Sequence, residues 1–182
     1  GLICSGSQQR DPDGEGRAAV AIRVYNTLTR QTEPFTPREP GQVSIYVCGL
    51  TPYAHAHLGH LRPAVVWQTI RSYLEYRGFR VTLVQNFTDI DDKIIERAAA
   101  SGVSPEAIAR TYIRDYLEAM DRLGLRYADL YPRVTRHIPQ VLEMVQELVR
   151  RGHAYAVDGS VYFDTRTFPG YGKLSGQRQE AL

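Results

Sequence analysis

Residues 43–50 read VSIYVCGL and residues 81–88 read VTLVQNFT, and these two stretches decide the fold. Both are rich in β-branched and aromatic residues, which predicts two β-strands. The first is apolar almost throughout, which indicates a strand buried on both faces, as in a parallel sheet. Between them, apolar residues at helical spacing predict a helix that runs to about residue 77 and ends at Gly78. The predicted apolar face of this helix consists of Val66, Ile70, Tyr73 and Leu74.

A strand, a helix and a second strand with short connections form a βαβ unit, so the two strands are expected to be parallel. Two further helices follow, one from residue 90 or 91 and one capped by Ser104, and a last helix ends at Gly152. The dipeptide DG at 158–159 lies between two strand-like runs and predicts a β-hairpin. An alternation over residues 22–28 predicts a short first strand, and the prolines after it indicate loops. The fold class is therefore α/β.

The composition limits the class of protein. The chain has 182 residues, of which 43% are hydrophobic and 23% charged, enough for one domain or one domain and a piece of another. A net charge of +2 permits nucleic-acid binding without demanding it. The two cysteines, Cys4 and Cys48, make no disulfide framework, which favours a reducing, cytoplasmic setting. No apolar stretch approaches the roughly 20 residues of a membrane span, so no membrane partner is expected.

Polar residues follow both predicted strands of the βαβ unit. Cys48 and Thr51 lie at the end of the first strand, and Thr88 ends the second. In open α/β sheets, ligands bind beyond the carboxyl ends of the strands. If the two strands are neighbours, Cys48, Thr51 and Thr88 lie together at one edge of the sheet. This edge is the expected position of the ligand site.

The tetrapeptide HLGH at 57–60 opens the predicted helix. His57 and His60 are three residues apart and face the same way, and the helix N-terminus beside them attracts anions through its free N–H groups and dipole. Gly59 has no side chain, so a flat ring or a phosphate can approach the backbone there. The arrangement suits a nucleoside triphosphate. The alternative is that the two histidines are ordinary surface or capping residues.

Two further features allow more than one interpretation. A lone cysteine at a strand end, such as Cys48, is most often a packing residue, and no four-ligand zinc site can be assembled from its neighbours. Asp89, Asp91 and Asp92 could bind a divalent cation. For Asp91 and Asp92 we favour a helix cap, because aspartate at a helix start accepts hydrogen bonds from free N–H groups and complements the dipole.

Together these motifs resemble the cysteinyl-tRNA synthetases over residues 24–177. His-x-Gly-His alone is shared by all class I synthetases and by small nucleotidyltransferases, whereas the Cys-Gly-x-Thr and Thr-Asp-Ile-Asp-Asp elements narrow the likeness sharply. The matching stretches are NTLTR at 26–30, YVCG at 46–49, TPY at 51–53, HLGH at 57–60, NFTDIDDKII at 86–95 and YGKLSG at 171–176.

The resemblance implies a division of the chain. Residues 1–19, rich in glycine, serine, glutamine and charge, are expected to be a flexible N-terminal extension. Residues 20–130 would form the first half of a class I synthetase catalytic domain, a Rossmann-like parallel-sheet nucleotide-binding fold. Residues 131–182 would begin an inserted α+β connective region that lies near the acceptor end of tRNA. The oligomeric state is left open.

The resemblance also implies an activity and a set of roles. The enzyme joins cysteine to ATP, giving cysteinyl-adenylate and pyrophosphate, and transfers the cysteine to tRNA(Cys), with Mg²⁺ accompanying the ATP. The catalytic pair would be His57 and His60. The ATP-binding residues would be Thr51, His57, Gly59 and His60. The cysteine pocket would be lined by Gly49, Thr51 and Thr88. A Zn²⁺ ion that binds the substrate thiolate would take Cys48 as one ligand.

The sequence departs from the family pattern at several points. Ala54 and Gln68 stand where the family often has aspartate, which leaves details of the substrate pocket open. The other three zinc ligands and the second ATP-binding loop of the family do not occur before Leu182. The chain also opens with Gly1 rather than methionine. We therefore expect a fragment that is inactive alone.

Two other functions compete with the tRNA ligase, and one surface is a candidate for tRNA. A cysteine ligase of mycothiol biosynthesis activates cysteine in the same way, and the TPY stretch at 51–53 occurs in that family. The chain could also be a non-catalytic nucleotide- or RNA-binding relic.

Basic residues in the connective region could contact tRNA phosphates, the alternative being an ordinary solvated surface. They are Arg133, Arg136, Arg150, Arg151 and Lys173.

Overall fold

The computed structural model describes residues 21–177, so the predicted extension at 1–19 lies outside the described residues. Short 3₁₀ turns occupy Val134–Arg136 and Thr165–Thr167. The strands are β1 Arg23–Asn26, β2 Gln31–Pro34, β3 Gln42–Leu50, β4 Arg80–Phe87, β5 Ala154–Val157 and β6 Ser160–Phe163. The helices are α1 Leu58–Tyr76, α2 Asp92–Ser101, α3 Pro105–Arg122 and α4 Ile138–Arg150.

The predicted βαβ unit is confirmed. Strands β3 and β4 pair in parallel, and α1 is the connection between them. Leu74 near the end of α1 packs with Val43 and Val81, which form a paired position of the two strands. This arrangement brings the carboxyl ends of β3 and β4 to one edge of the sheet, directly in front of the start of α1.

The backbone that follows α3 continues the sheet beside β4. The N–H of Gln85 donates to the carbonyl oxygen of Leu130 at 3.1 Å, and the N–H of Phe87 donates to that of Pro132 at 2.9 Å. Val84 forms a parallel bridge with Leu130, and Phe87 forms one with Arg133, so this backbone runs parallel to β4. The sheet thus crosses the boundary predicted at residues 130–131, and that boundary stays a prediction.

Strand β3 is buried on one face, not on both as its apolar sequence suggested. Val43 and Val47 point into the core and are 6% and 7% exposed, whereas Tyr46 between them is 66% exposed. Ser44 and Cys48 lie on the same exposed face as Tyr46. The cause is that, within the described residues, α1 and residues 127–131 cover only one side of the sheet.

The predicted apolar face of α1 is also partly wrong. Val66, Ile70 and Tyr73 are exposed, and Leu74 alone of the predicted four is buried. The buried positions of this helix are Leu61, Arg71 and Leu74. Apolar residues lie all round α1, so their spacing alone cannot say which side meets the sheet.

Arg71 is buried because it ties α1 to the segment that follows α3. Its guanidinium donates to Asp129 at 2.8 Å, to Glu75 at 3.1 Å and to the carbonyl oxygen of Tyr127 at 3.0 Å. The second carboxylate oxygen of Asp129 accepts the N–H of Leu83 at 2.7 Å. Burial acts to raise the pKa of Asp129, but the hydrogen bonds from Leu83 and Arg71 hold that pKa below its ordinary value.

We expect Arg71→Met to lower the free energy of unfolding by about 2 kcal/mol at neutral pH. This is less than the roughly 3–5 kcal/mol of a wholly buried pair, because the carboxylates of Asp129 and Glu75 are partly exposed and screened by solvent. Because the native pKa of Asp129 is depressed, its contribution is present above the unfolded value of 3.8 and is lost as the pH falls through the native value.

Urea denaturation from pH 7 to pH 3 measures this effect in the variant and the parent protein. The stability difference between them should shrink on acidification. Arg110→Met is the matched control, since Arg110 is exposed and lies 3.9 Å from Glu106, and it should change stability by less than about 0.5 kcal/mol. An equal loss at pH 7 and pH 3 would contradict the ion-pair explanation.

The remaining predicted elements are present with small changes. Ser104 caps α3, and the hairpin of β5 and β6 turns at Asp158 and Gly159, both with positive φ. Strand β2 ends at Pro34, where the prolines predict a loop, and it pairs antiparallel with β1; its sequence QTEP shows no apolar alternation that could have indicated a strand. Among residues 21–177, no helix is both long enough and apolar enough to cross a membrane.

Candidate nucleotide site

The ends of β3 and β4 are joined by an asparagine side chain. The pairing register shifts between Val47 and Leu50, and within this irregularity the N–H of Gly49 donates to Oδ1 of Asn86 at 2.7 Å. The N–H of Thr88 donates to the carbonyl oxygen of Leu50 at 3.0 Å. The structure therefore brings Gly49 and Thr88 to one edge, with half-buried Thr51 directly after β3 and Cys48 exposed at its end.

Gly49 is required by packing against β4. A Cβ atom at this position would overlap the backbone carbonyl of Asn86 and lie 2.9 Å from its Oδ1 atom. Asn86 was not among the predicted site residues. The available signal was an amide side chain inside the otherwise apolar end of β4, which has to find a polar partner when it is partly buried.

The two histidines form a capping box at the start of α1. Nδ1 of His57 accepts the N–H of Gly59 at 3.1 Å, and Nδ1 of His60 lies 3.4 Å from the N–H of His57. The two rings are tilted by 32°, with centroids 3.9 Å apart. They face the same way as predicted. Both are also capping residues. The cap uses one nitrogen of each ring, and the other nitrogen is left to bind a ligand, so the two interpretations are compatible.

The cap determines which ring nitrogens can act as donors. A nitrogen that accepts a hydrogen bond carries no proton, so the neutral forms of His57 and His60 are protonated at Nε2. Partial burial lowers the pKa of His60, and charge repulsion from His57 lowers it further. His60 is consequently a neutral hydrogen-bond donor at neutral pH. The pair presents two Nε2–H groups at the start of a helix.

Gly59 is less open to an anion than its sequence position suggested. Its N–H is already used by His57, and a Cβ atom at residue 59 would lie 2.8 Å from Cε1 of the His57 ring. In this conformation the absence of a side chain makes room for His57. A phosphate can reach the Gly59 N–H only when the His57 ring turns away from it.

The loop that leads into His57 is held by α3. The N–H of Ala56 donates to Oδ2 of Asp115 at 2.8 Å, and Nδ1 of His55 lies 3.0 Å from Oδ1. The hydrogen bond from Ala56, and then that from His55, lower the pKa of Asp115, so the carboxylate is ionised at neutral pH. Asp115 was missed from sequence, although it is an acidic residue flanked by the apolar stripe of α3.

Asp91 caps α2 as predicted, and Asp92, for which a cap was also favoured, lies inside the first turn of the helix. Oδ1 of Asp91 accepts the N–H of Lys93 at 3.0 Å. Asp89 is 8% exposed and accepts hydrogen bonds from Thr135, at 3.0 Å from the N–H and 2.6 Å from the hydroxyl. These contacts account for the carboxylates of Asp89 and Asp91 without a cation.

A zinc ion would find only part of its ligand set here. Cys48 is exposed at the end of β3 and can supply one thiolate. Residues 21–177 contain no cluster of three or more cysteine, histidine, aspartate or glutamate side chains that could hold a metal ion.

A match to a known family fits this geometry. Residues 34–182 match the family of tRNA synthetases class I (C) catalytic domain. The chain belongs to this family. It is 55% identical over 161 residues to the cysteine–tRNA ligase of Clostridioides difficile (strain 630), and 52% identical over 163 residues to that of Gloeobacter violaceus. These matches cover 88% and 90% of this chain. The chain spans about a third of the length of these relatives, 35% and 34%.

Solved structures confirm the fold class of this synthetase domain. Mycobacterium tuberculosis methionyl-tRNA synthetase in complex with methionyl-adenylate superimposes with a TM-score of 0.54 and 19% identity, covering 66% of this chain and 28% of that one. The Agrobacterium radiobacter K84 LeuRS–tRNA–LeuAMS complex gives a TM-score of 0.54 and 22% identity, covering 66% of this chain and 16% of that one. The βαβ unit is thus part of an α/β class I synthetase fold, as predicted.

Proposed function

We propose that this chain supplies the ATP-binding half of a cysteine–tRNA ligase. The whole protein would activate cysteine with ATP and transfer it to tRNA(Cys) in the cytoplasm. The observation that carries the proposal is the pair of Nε2–H donors of His57 and His60 at the start of α1. It is supported by relatives named cysteine–tRNA ligase at 50–55% identity.

The histidine pair suits the chemistry of adenylation. Attack of a carboxylate on the α-phosphate of ATP adds negative charge to the phosphate oxygens in the transition state. Two preorganised Nε2–H donors beside the positive end of the α1 dipole stabilise that charge. In this proposal Gly59 and Thr51 lie along the nucleotide, and Mg²⁺ accompanies the triphosphate from solution.

The cysteine substrate is assigned to the edge where β3 and β4 end. Gly49 and Thr88 meet there through Asn86, whose Nδ2 lies 3.4 Å from the hydroxyl of Thr88. Thr51 follows directly. In this proposal the hydroxyls of residues 51 and 88, which lie at the edge where β3 and β4 end, offer polar contacts to the amino acid.

Cys48, at the end of β3, is proposed as one zinc ligand. A zinc ion held there would bind a substrate thiolate and discriminate against the hydroxyl of serine, which is a poor zinc ligand at neutral pH. The support from this chain is a single exposed thiol at the expected strand end. The other ligands are assigned to the part of the protein outside residues 21–177.

We expect residues 1–182 expressed alone to hold far less than one zinc ion per chain, because one thiolate does not make a tetrahedral site. In the whole protein, Cys48→Ser should release the zinc. Atomic absorption after dialysis measures both, and Ser44→Ala, on the same exposed face of β3, is the control. Stoichiometric zinc in the isolated chain would move the metal to His55, His57 or His60.

We propose that basic residues of the connective region contact tRNA. Two of the five candidates are already paired with a carboxylate. Arg150 and Arg151 both bind Glu147 within 2.7 Å, and these hydrogen bonds lower the pKa of Glu147 to about 2. A phosphate would have to displace Glu147 from these two arginines. Arg133, Arg136 and Lys173 are the remaining candidates, and each contact would weaken with salt.

Cysteine-dependent ATP–pyrophosphate exchange by the whole protein tests the proposed function. Exchange with cysteine, much slower exchange with serine, and cysteinylation of tRNA are the expected results. Transfer of activated cysteine to an amino sugar in place of tRNA would favour the mycothiol-type ligase. Absence of cysteine-dependent exchange in a folded protein would leave the non-catalytic relic as the correct description.

A further inference from the structure

The backbone in front of the histidine pair is fixed by a carboxylate from a distant part of the chain. Both oxygens of Asp115 are used, one by the N–H of Ala56 at 2.8 Å and one by the ring of His55 at 3.0 Å. Ala56 directly precedes His57, the cap of α1. The position of the cap therefore depends on α3 as well as on α1.

We propose that Asp115 is a positioning residue for the His57–His60 pair and acts through the backbone of Ala56. This inference rests on the proposed function, because it gives Asp115 a part in binding ATP. Asp115 itself touches no substrate in this proposal. Its contribution is to hold the loop so that the two Nε2–H donors keep one orientation.

A second contact from α3 holds the same loop. The ring of Tyr112 packs edge-on against His55, with centroids 5.2 Å apart and an angle of 89°. The Tyr112 hydroxyl accepts a hydrogen bond from Arg97 of α2 at 2.9 Å. Tyr112 and Asp115 are three residues apart and therefore share one face of α3. The helix thus contacts residues 55–56 through two neighbouring side chains.

Helix α3 can serve as a rigid reference because residues next to this face are deep in the core. Ile113 and Tyr116 are 4% and 1% exposed, and they pack with Leu61 of α1 and Phe87 of β4. The N–H to carboxylate hydrogen bond is directional and stronger than a neutral one. Loss of the carboxylate would free the loop while leaving the packing of α3 unchanged.

The test uses Asp115→Ala and Asp115→Asn in the whole protein. In pyrophosphate exchange, Asp115→Ala should lower kcat/KM for ATP by roughly tenfold or more, as expected for displaced donor groups, with little change in the KM for cysteine. Asp115→Asn keeps an oxygen that can accept the Ala56 N–H, so it should recover much of the loss. Glu118→Ala is the matched control, because Glu118 is exposed on the same helix.

Hydrogen exchange of the backbone amides provides a readout that does not need activity. Asp115→Ala should speed deuterium uptake over residues 53–60, and Glu118→Ala should not. An Asp115→Ala protein with fewer active molecules and an unchanged kcat/KM for ATP per active molecule would overturn the positioning role. An Asp115→Asn protein as impaired as the alanine variant would overturn it as well. If the parent protein lacks pyrophosphate exchange, the proposed function fails, and unchanged deuterium uptake would then overturn the Asp115 inference separately.

Discussion

His57→Ala or His60→Ala in the whole protein is expected to lower the rate of cysteine-dependent pyrophosphate exchange by roughly 10²–10³, the loss typical of one transition-state donor. The reason is that each ring presents an Nε2–H donor at the start of α1. The measurement is the exchange rate at saturating cysteine and ATP, so that a loss of transition-state stabilisation appears in kcat.

His57 needs a separate control because it also caps α1. Removal of a helix cap costs about 1 kcal/mol of stability, which could itself reduce activity. His57→Asn keeps a good cap residue but removes the Nε2 donor, so it should be as slow as the alanine variant. Thr69→Ala is a second control, since Thr69 is exposed and its hydroxyl donates to the Val65 carbonyl oxygen of its own helix at 2.9 Å. Full activity of His57→Asn would show that capping is the only role of this ring.

Gly49→Ala should destabilise the sheet by more than about 3 kcal/mol, at the upper end of the range for overpacking. The added methyl group would overlap the backbone carbonyl of Asn86, and a paired strand cannot move away as a flexible side chain could. The variant would also lose the 2.7 Å hydrogen bond from the Gly49 N–H to Oδ1 of Asn86 as the strands separate.

The Gly49 prediction is checked by urea denaturation and by the yield of soluble protein. Ser44→Ala in the same strand is the control, because Ser44 lies on the exposed face of β3 and should change stability by less than about 0.5 kcal/mol. A Gly49→Ala protein of normal stability that lacks pyrophosphate exchange would instead indicate that residue 49 contacts the substrate directly.

Local patterns in the sequence determined the parallel βαβ unit, the cap residues Asp91 and Ser104, and the hairpin turn at 158–159. The caps and the turn depend on residues within a few positions of one another, where turn chemistry acts directly, and the βαβ unit follows from three consecutive elements whose propensity and apolar spacing are local. The motifs also placed His57 and His60 together at a helix start, because a spacing of three residues leaves little freedom there.

Only the tertiary structure decided which surfaces of these elements meet. Val66, Ile70 and Tyr73 of α1 are exposed while Arg71 is buried, because Asp129, 58 residues away, completes its ion pair. Gly49 meets Asn86 across 37 residues. Asp115 reaches Ala56 across 59 residues. Contacts of this kind depend on how whole elements pack, and no local propensity or periodicity specifies them.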